Sequence, residues 1–334
     1  MKLLRRMVYL GYYFRRMNWP LLRRFMRHTR EKENLGNLRQ IGLFIGDSLR
    51  YNISPLEWYQ FRFSALSADE KSIWAGTGTM YEFHRRMNPP AARAILADKR
   101  RFYLAYRDFC SHGLWSLQDL REDPDLVARI LDRHDRLVFK DATGNCGTSV
   151  RILPTSELNA AGLTRWMAER GYDMVESFIR QHPNLMALSP SGVNTVRIFT
   201  FIDRDGAYRI LGCRLRISVN SHVDNLAAGN LAAPIDEATG TVSGPGVYSD
   251  ITKPAEPVHP VTGTAIEGFQ VPFWRETLEL VKRASLLHTE NRSIGWDVVI
   301  MPDGPGLIEG NHDWCKLVWQ LPVRRGLKPM LDTE

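Results

Sequence analysis

The chain has 334 residues, of which 44% are hydrophobic and 24% charged, a balance typical of a folded globular protein and unlike that of a disordered or fibrous chain. Its length exceeds that of most single domains, so we expect a main body with at least one further subdomain. The formal net charge is +7, but residues 1–33 alone carry ten Lys or Arg against two Glu, which leaves the rest of the chain at −1. This distribution argues against the basic groove of a nucleic-acid enzyme, so no nucleic-acid partner is expected.

The first 33 residues predict a basic amphipathic helix. On a helical wheel the apolar residues lie on one side and the basic residues lie on the other. The apolar side holds Leu3, Leu4, Met7, Leu10 and Phe14, and the basic side holds Lys2, Arg5, Arg6 and Arg16. Such a helix either lies in a membrane interface, or docks its apolar side on the protein body and leaves its basic side in water. The sequence leaves both alternatives open.

Membrane-spanning and export segments are not expected. The sequence has no run of about 18 apolar residues, and arginines interrupt any secretory signal core. The four cysteines lack the spacing of a zinc site or a disulfide framework, which fits a reducing compartment. We therefore expect a cytoplasmic protein, located at the inner face of the membrane if residues 1–33 form an interfacial anchor.

Helices are predicted to dominate the first third of the chain. Pro55 opens a predicted helix over residues 55–76, and Pro89 with Pro90 opens another that continues to about Phe109. From about residue 136, short apolar strands alternate with helices, which is typical of an α/β or α+β arrangement.

The remaining elements follow in chain order. Strands are predicted at residues 137–142, 149–153 and 172–178, helices at residues 156–171 and 272–288, and antiparallel hairpins at residues 193–218 and 294–311. The first hairpin turns at a DRDG sequence, and the second turns within MPDGP.

The last hairpin carries a predicted metal site. Asp297 lies on its first strand, and Glu309 and Asn311 lie two apart on its second strand, so the latter two point to the same face. A turn at residues 303–306 would place Asp297 opposite that pair. Two carboxylates and an amide oxygen suit Mg²⁺ or Mn²⁺ held jointly with nucleotide phosphates. The alternative is a solvated polar face, which is weaker because unpaired charges in apolar strands are costly.

A glycine-rich loop follows a strand lysine. Lys140 ends a predicted strand, and Gly144 and Gly147 come next. Backbone N–H groups in such a loop can face phosphate oxygens, and a nearby lysine adds positive charge. A strand, a glycine turn and a strand also describe an ordinary hairpin, so both interpretations stay open.

Three arginines lie within apolar strands. Arg197 is in the first strand of the hairpin at residues 193–218, and Arg214 and Arg216 are in the second. An arginine in an apolar strand is expected to have an anionic partner, either a buried carboxylate or a bound phosphate. The strand period puts Arg214 and Arg216 on one face but does not say which of them is buried.

Taken in chain order, these features resemble the ATP-grasp superfamily over about residues 95–325: a helical lysine, a strand lysine with a glycine loop, a hinge strand, a strand arginine and a D…ExN ending. The sequences VNTVRIFTF, HVDNLAAGN, IGWDVVI and IEGNHDW look more closely like the branch called sugar-transfer-associated ATP-grasp, which is related to α-L-glutamate ligases. The resemblance implies an α+β fold in which two α+β subdomains clasp ATP, preceded by a helical extension. We expect a basic segment at residues 1–33, a helical region at 34–95, a lid subdomain at 96–180 and a central subdomain with the metal site at 181–330.

The resemblance also implies roles for individual residues. The nucleotide site would comprise Lys99 and Lys140 on the phosphates, a lid over residues 142–148 with Gly144, Gly147 and Thr148, and a hinge at Glu176, Phe178 and Ile179 whose main chain reads adenine. Mg²⁺ or Mn²⁺ would be held by Asp297, Glu309 and Asn311, and the transferred phosphate and the acceptor would face Arg197, Arg216 and Asn225. Two positions depart from the family pattern. No carboxylate follows the hinge to hold the ribose, and Gly295 or Trp296 stands where D-alanine:D-alanine ligases have an arginine.

The implied activity is that of an ATP-dependent carboxylate–amine ligase, which forms an amide through an acyl phosphate. Its partners would be small-molecule or glycan carboxylates and amines, for example an amino acid and the sugar acid of a polysaccharide or natural product. One alternative is a kinase on the same fold, with a base among His222, Asp224 and His259. Another is a nucleotide-binding accessory protein without turnover.

Overall fold

The computed structural model describes residues 2–141 and 150–332. The helices are α1 (Lys2–Arg15), α2 (Trp19–Glu33), α3 (Asn37–Tyr51), α4 (Pro55–Gln60), α5 (Ala68–Ser72), α6 (Thr77–Met87), α7 (Pro90–Ala97), α8 (Lys99–Tyr106), α9 (Leu117–Glu122), α10 (Pro124–Arg133), α11 (Leu163–Glu169), α12 (Pro183–Leu188), α13 (Trp274–Ser285) and α14 (Lys316–Gln320). The strands are β1 (Leu114–Ser116), β2 (Arg136–Lys140), β3 (Arg151–Pro154), β4 (Met174–Ser177), β5 (Thr195–Ile202), β6 (Tyr208–Ile217), β7 (Leu231–Ile235), β8 (Ser293–Met301) and β9 (Gly304–Asn311).

These strands form two antiparallel sheets. The four-stranded sheet has the order β1-β4-β2-β3, and the five-stranded sheet has the order β7-β6-β5-β8-β9. The two predicted hairpins, β5–β6 and β8–β9, lie side by side in the larger sheet because β5 pairs with β8. Helices and antiparallel sheets in one chain confirm the predicted α+β class.

The four-stranded sheet packs one of its faces against its own helices. Leu137, Phe139 and Val175 pack beneath α9, α10 and α11 in an apolar cluster that is separate from the rest of the core. Because side chains alternate along a strand, Lys140 and Glu176 belong to the opposite face. This sheet therefore turns its charged face away from its own helices.

The five-stranded sheet is covered differently on its two faces. Ile198 and Trp296 pack with Phe102 of α8 and with residues of α13 on one face. Phe199 and Phe201 pack on the other face against aromatic residues of α4, α6 and α14. The N-terminal helices thus cover the end of the sheet where these two phenylalanines lie, and the same face continues along β5 toward Arg197.

Two predicted helices are interrupted in the structure. The one expected over residues 55–76 ends at Gln60, since Arg62 has a left-handed backbone with φ of +54° and Ser67 caps a new helix, α5. The helix expected over residues 156–171 is only α11, which begins at Leu163. Local capping and turn geometry broke both segments, although their apolar patterns suggested continuous helices.

The helix predicted after Pro89 and Pro90 also breaks, at Asp98. Its backbone is extended, and its carboxylate accepts hydrogen bonds from the backbone N–H groups of Arg100 and Arg101. An aspartate with this geometry is a strong N-cap. The break makes Lys99 the first residue of α8 rather than a residue in mid-helix.

Helix α1 does not dock with its predicted apolar side, which was expected in one of the two alternatives left open by the sequence. Arg6, expected on the solvated basic side, points inward and donates from Nη1 to the carbonyl oxygens of Leu49 and Arg50, at 2.7 and 2.5 Å. Three residues of the predicted apolar side are instead more than half exposed: Leu3, Leu4 and Met7. None of the helices in residues 2–141 and 150–332 combines the length and hydropathy needed to span a bilayer.

A buried ion pair joins the N-terminal helices to the end of the chain. Glu57 of α4 is 2% exposed, and its Oε1 lies 2.7 Å from Nζ of Lys316 on α14. The same carboxylate accepts hydrogen bonds from the backbone N–H of Ser54 and from the N–H and hydroxyl of Thr77. Burial opposes ionisation of Glu57, but Lys316 and these donors hold its pKa below the ordinary value. We call these four residues the Glu57 cluster.

Candidate functional site

A row of charged side chains crosses one face of the five-stranded sheet. Arg214 of β6 pairs in register with Arg197 of β5, Arg197 with Asp297 of β8, and Asp297 with Glu309 of β9. Directly opposed residues in antiparallel strands have side chains on the same face, about 5 Å apart. Arg216 follows Arg214 by two residues and shares this face.

A β-bulge aligns the two carboxylates. The hairpin turns at Pro302 and Asp303, so the turn predicted at residues 303–306 is wrong in position. The register then shifts by one residue between Asp297 and Val298. Without this shift, the residue before Glu309 would face Asp297, and Glu309 would point to the opposite face of the sheet.

The charged side chains form one hydrogen-bonded network. Arg197 binds Asp297 at both oxygens, with Nε–Oδ1 at 2.5 Å and Nη2–Oδ2 at 2.9 Å. Arg216 bridges two acids, with Nη1 at 2.9 Å from Asp297 Oδ2 and Nη2 at 2.6 Å from Asp224 Oδ1. We call Arg197, Arg216, Asp224, Asp297 and Glu309 the carboxylate cluster.

The electrostatics of the carboxylate cluster are unbalanced. Burial opposes ionisation of Asp297, but Arg197 and Arg216 outweigh it and hold the pKa of that carboxyl below its ordinary value. Burial and the neighbouring Asp297 raise the pKa of Glu309 to about 7. With every group ionised, three carboxylates would face two guanidinium groups, which is one negative charge in excess.

One donor in the carboxylate cluster is unused. The Nε–H of Arg216 is buried and has no hydrogen-bond partner among the described residues. A buried polar atom without a partner costs about 1–3 kcal/mol and often marks a functional site. Within residues 2–141 and 150–332, neither the charge balance nor the hydrogen bonding of this cluster is complete.

These residues fit a hard divalent cation. Asp297, Glu309 and Asn311 supply oxygen donors on one face of the sheet, and these are the hard ligands that such a cation prefers. Within the described residues, no three His, Cys, Asp or Glu side chains form a metal site by themselves. The amide of Asn311 and the oxygens of a bound phosphate would therefore be needed. Asn311 now donates from Nδ2 to Glu309 Oε1 at 3.2 Å, so it would have to turn its amide to ligate.

A second charged group lies on the face of the four-stranded sheet that points away from the sheet's own helices. Lys140 of β2 contacts Glu176 of the neighbouring β4, with Nζ–Oε2 at 2.5 Å. Burial opposes ionisation of Glu176, but Lys140, His112 and Lys99 lower its pKa below the ordinary value. We call Lys99, His112, Lys140 and Glu176 the lysine cluster. This cluster contains both Lys99 and Lys140, the two lysines for which the family resemblance implied phosphate binding.

Sequence reasoning missed two members of these clusters. His112 is 7% exposed, burial lowers its pKa, and its Nδ1 has no hydrogen-bond partner in the described part of the chain. A single histidine in a loop gives no motif by which to find it. Asp224 was considered only as a base for a kinase, whereas the structure makes it the second acid that holds Arg216.

The expectation of an anionic partner is wrong for Arg214. Both Arg214 and Arg216 are buried, but Arg214 donates to the carbonyl oxygens of Trp319 and Cys213 instead of to an acid within residues 2–141 and 150–332. Burial lowers its pKa to about 10. Its position near the end of α14 satisfies a helix C-terminus, where carbonyl groups lack partners.

The remaining predicted residues are dispersed. Asn225 follows Asp224 and accepts a hydrogen bond from the backbone N–H of Ala227 in a short 3₁₀ turn. Phe178 and Ile179 follow β4 and are partly buried. Three predicted residues, and the whole predicted lid at residues 142–148, lie outside the described residues: Gly144, Gly147 and Thr148.

Each of the two antiparallel sheets carries charged side chains on one face, with Lys140 and Glu176 on the smaller sheet and Arg197, Asp297 and Glu309 on the larger one. A sequence profile of the sugar-transfer associated ATP-grasp family matches residues 79–333, and the chain belongs to this family. The resemblance proposed from the motifs is thereby confirmed. No curated protein matches the chain.

Several solved structures are similar to the chain at low identity. One is the ATP-grasp ligase PsnB complexed with a minimal precursor, at 16% identity and a TM-score of 0.42, covering 82% of this chain and 71% of that one. Another is D-alanyl-alanine synthetase A from Vibrio cholerae O1 biovar eltor, at 12% and 0.42, covering 71% and 61%. A third is the D-cycloserine synthetase DcsG, at 14% and 0.42, covering 84% and 82%.

Proposed function

We propose that this protein is an ATP-dependent carboxylate–amine ligase that forms an amide and releases ADP and phosphate. The observation that carries the proposal is the carboxylate cluster, which is buried, incompletely neutralised and located on the sheet face where the family places its metal. A purely structural ion network would be expected to balance its charges and to satisfy its donors.

We assign the nucleotide and metal contacts as follows. Lys99 and Lys140 bind the phosphates of ATP, since together with His112 they surround the single carboxylate of Glu176. Asp297, Glu309 and Asn311 hold Mg²⁺, or Mn²⁺ in its place. When bound, the ion supplies charge neutralisation at the β- and γ-phosphate oxygens. The lobes that meet at ATP would be residues 96–180 and 181–330.

The proposed reaction has two steps. A carboxylate oxygen of the first substrate attacks the γ-phosphorus, the bond from that phosphorus to the ADP oxygen breaks, and an acyl phosphate forms. The amine then attacks the acyl carbon and loses a proton, and the carbon–oxygen bond to phosphate breaks, which leaves the amide and inorganic phosphate. Arg216 stabilises the negative charge that develops on oxygen in both steps, because Asp224 and Asp297 fix its guanidinium in place.

Arg197 has a different part in this scheme. Two of its guanidinium nitrogens already bind both oxygens of Asp297. It therefore orients the metal ligand, and the contact with the acceptor falls to Arg216 and, by its position beside Asp224, to Asn225. A bidentate arginine–carboxylate pair is well suited to this because its planar geometry fixes both groups.

A kinase is less well supported by the hydrogen bonding. Asp224 is occupied by Arg216 and by the backbone N–H and hydroxyl of Thr195. The ring nitrogens of His259 contact the carbonyl oxygen of Ser218 and the backbone N–H groups of Val261 and Thr262. Two of the three candidate bases are thus engaged in structural contacts, which leaves exposed His222.

The substrates are proposed only as a class. The family is described by its association with sugar transfer, so we propose that a sugar acid or amino sugar carries one of the reacting groups. An amino acid is a suitable second substrate because it offers either a carboxylate or an amine.

The proposal is tested by an ADP-release screen over amino acids, amines and uronic acids with MgATP, followed by mass spectrometry of the products. We expect phosphate release that requires both a carboxylate and an amine, and a product lighter than their sum by one water. Stable phosphorylation of a hydroxyl compound without an amine would instead identify a kinase.

A matched pair of variants separates catalysis from folding. Glu309→Gln removes one charge from the carboxylate cluster, and Asp303→Asn removes one from the exposed turn of the same hairpin. We expect ADP release to disappear in Glu309→Gln and to persist in Asp303→Asn. If Glu309→Gln keeps full activity and its fold, the proposed site is wrong.

A further inference from the structure

The outward face of α1 is apolar. Five of its side chains are between 54% and 68% exposed: Leu3, Leu4, Met7, Val8 and Tyr12. Leu4, Val8 and Tyr12 follow one another at four-residue intervals, as do Leu3 and Met7, so they form a continuous band along the helix. We call these five residues the α1 stripe. Scattered exposed apolar residues are ordinary, but a contiguous patch of this kind indicates a binding surface.

The contacts of α1 with the body hold the stripe outward. On the opposite side, Arg6 donates to the carbonyl oxygens at the end of α3, and Tyr13 is 6% exposed. Arg5 and Tyr9 both contact Glu82 of α6. Turning the stripe inward would break all of these contacts. The amphipathic helix is thus attached to the body by polar and aromatic groups and presents its aliphatic groups to the surroundings.

Cations border the α1 stripe along its length. Arg15 lies seven residues after Val8 and so on the same face, and the neighbouring Arg16 is also exposed. Trp19, 45% exposed, stacks on Phe14 at the end of the helix, with ring centroids 6.0 Å apart. Tryptophan is enriched at the interface between a membrane and water.

A basic pocket lies beside the helix. It has a volume of about 480 Å³. Its charged lining consists of four cations and two acids: Arg5, Arg6, Arg50, Lys328, Asp69 and Glu82. The pocket lies on the side of α1 that contacts α3 and α6, and its lining has a net charge of +2 (four cations and two acids), which adds to the positive potential around the helix.

We propose that α1 is an interfacial anchor for an anionic membrane, with the α1 stripe in the boundary of the acyl chains and Arg5, Arg15 and Arg16 at the phosphate headgroups. Apolar burial and attraction to anionic lipids together determine the strength of such binding. The proposal does not depend on the ligase activity. A second copy of this chain would complement the apolar stripe but not the cations around it.

The experiment is co-sedimentation of the full chain with vesicles of phosphatidylcholine alone or mixed with phosphatidylglycerol. We expect binding to the anionic vesicles that weakens as salt is added. Leu4→Glu with Val8→Glu should reduce it by roughly ten-fold or more, because two aliphatic side chains can no longer be buried. The matched control is Leu38→Glu on α3, which changes a leucine that is 86% exposed and should leave binding unchanged.

Three results would overturn the proposal. The first is an absence of vesicle binding, or equal binding to both kinds of vesicle. The second is an equal loss in the Leu38→Glu control, or no loss in the double variant. The third is a dimer of the unchanged protein in sedimentation velocity, together with a monomer for the double variant Leu4→Glu with Val8→Glu. That result would show that the α1 stripe binds a second copy of this chain. Glu309→Gln should bind vesicles like the unchanged protein, so failure of the ligase proposal would not affect this test.

Discussion

The molecule contains two buried clusters of carboxylates and basic side chains. They differ in charge balance and in whether every donor has a hydrogen-bond partner. In the Glu57 cluster one carboxylate meets one lysine, and backbone and hydroxyl donors supply its other hydrogen bonds. In the carboxylate cluster three acids meet two arginines, and the Nε–H of Arg216 has no partner in the described residues.

The two clusters also lie in different parts of the structure. The Glu57 cluster lies between α4, α6 and α14, within the layer that ties the N-terminal helices to the end of the chain. The carboxylate cluster lies on the same sheet face as Phe199 and Phe201, next to them along β5. We therefore expect the Glu57 cluster to stabilise the contact between the N-terminal helices and the end of the chain, and the carboxylate cluster to serve the proposed ligand site. The following substitutions test that distinction.

The largest effect is expected for Asp297→Asn. It removes the charge that both Arg197 and Arg216 bind, and we expect the rate of ADP release from MgATP to fall by about 10³-fold. The fold should persist with a loss of stability, because Arg197 loses its paired carboxylate while Asp224 still pairs with Arg216. Circular dichroism checks the fold, and Asp303→Asn is the control. Equal rates of ADP release in the two variants would show that Asp297 is not part of the catalytic site.

Lys316→Met should act on stability instead of activity. It leaves the Glu57 carboxylate without its counter-ion, and loss of one partner from a buried pair costs several kcal/mol. Because the Lys316 side chain is 20% exposed, we expect a smaller loss of about 2–3 kcal/mol. Urea unfolding measures it, with Lys282→Met on the exposed side of α13 as control. Similar losses of unfolding free energy in both variants would show that the pair of Glu57 and Lys316 does not stabilise the fold more than an exposed lysine does.

The Glu57 cluster should also have a pH signature. The pKa of Glu57 is lowered in the folded protein from an ordinary value of 4.5, so its ionised form is stabilised by folding and this contribution is lost as pH falls below about 4.5. The stability gap between the unchanged protein and Lys316→Met should therefore be largest at neutral pH and should narrow in acid. Unfolding free energies measured from pH 7 down to pH 4 test this, and a gap that widens in acid would contradict it.

Much of the fold followed from local patterns. The hairpins β5–β6 and β8–β9 were predictable because apolar strands flank short turn sequences, and the order of motifs indicated the family. Helix interruptions were not predictable in the same way. The break at Asp98 depends on one capping side chain, and the pattern of apolar residues continues through it.

The candidate site was predictable in composition but not in detail. Residue spacing placed Asp297, Glu309 and Asn311 on one hairpin, yet the bulge that aligns them is a matter of backbone register that spacing does not reveal. Asp224 and His112 reach their clusters through tertiary packing and have no sequence motif. The roles of the individual residues, and the division of the chain at residues 33, 95 and 180, stay predictions.

The smallest effect is expected at Arg214, which sits two residues from Arg216 on the same strand face but belongs to neither charge cluster. Arg214→Lys loses the paired contact of Nε and Nη2 with the carbonyl oxygen of Trp319, while a lysine can keep one hydrogen bond there. We expect a stability loss of about 1 kcal/mol, because a bidentate arginine contact is replaced by a single one. ADP release should be unchanged where both proteins are folded, since the hydrogen bonds that Arg214 makes among the described residues go to backbone carbonyl groups. A loss of activity without a loss of stability would instead place Arg214 with Arg216 at the site.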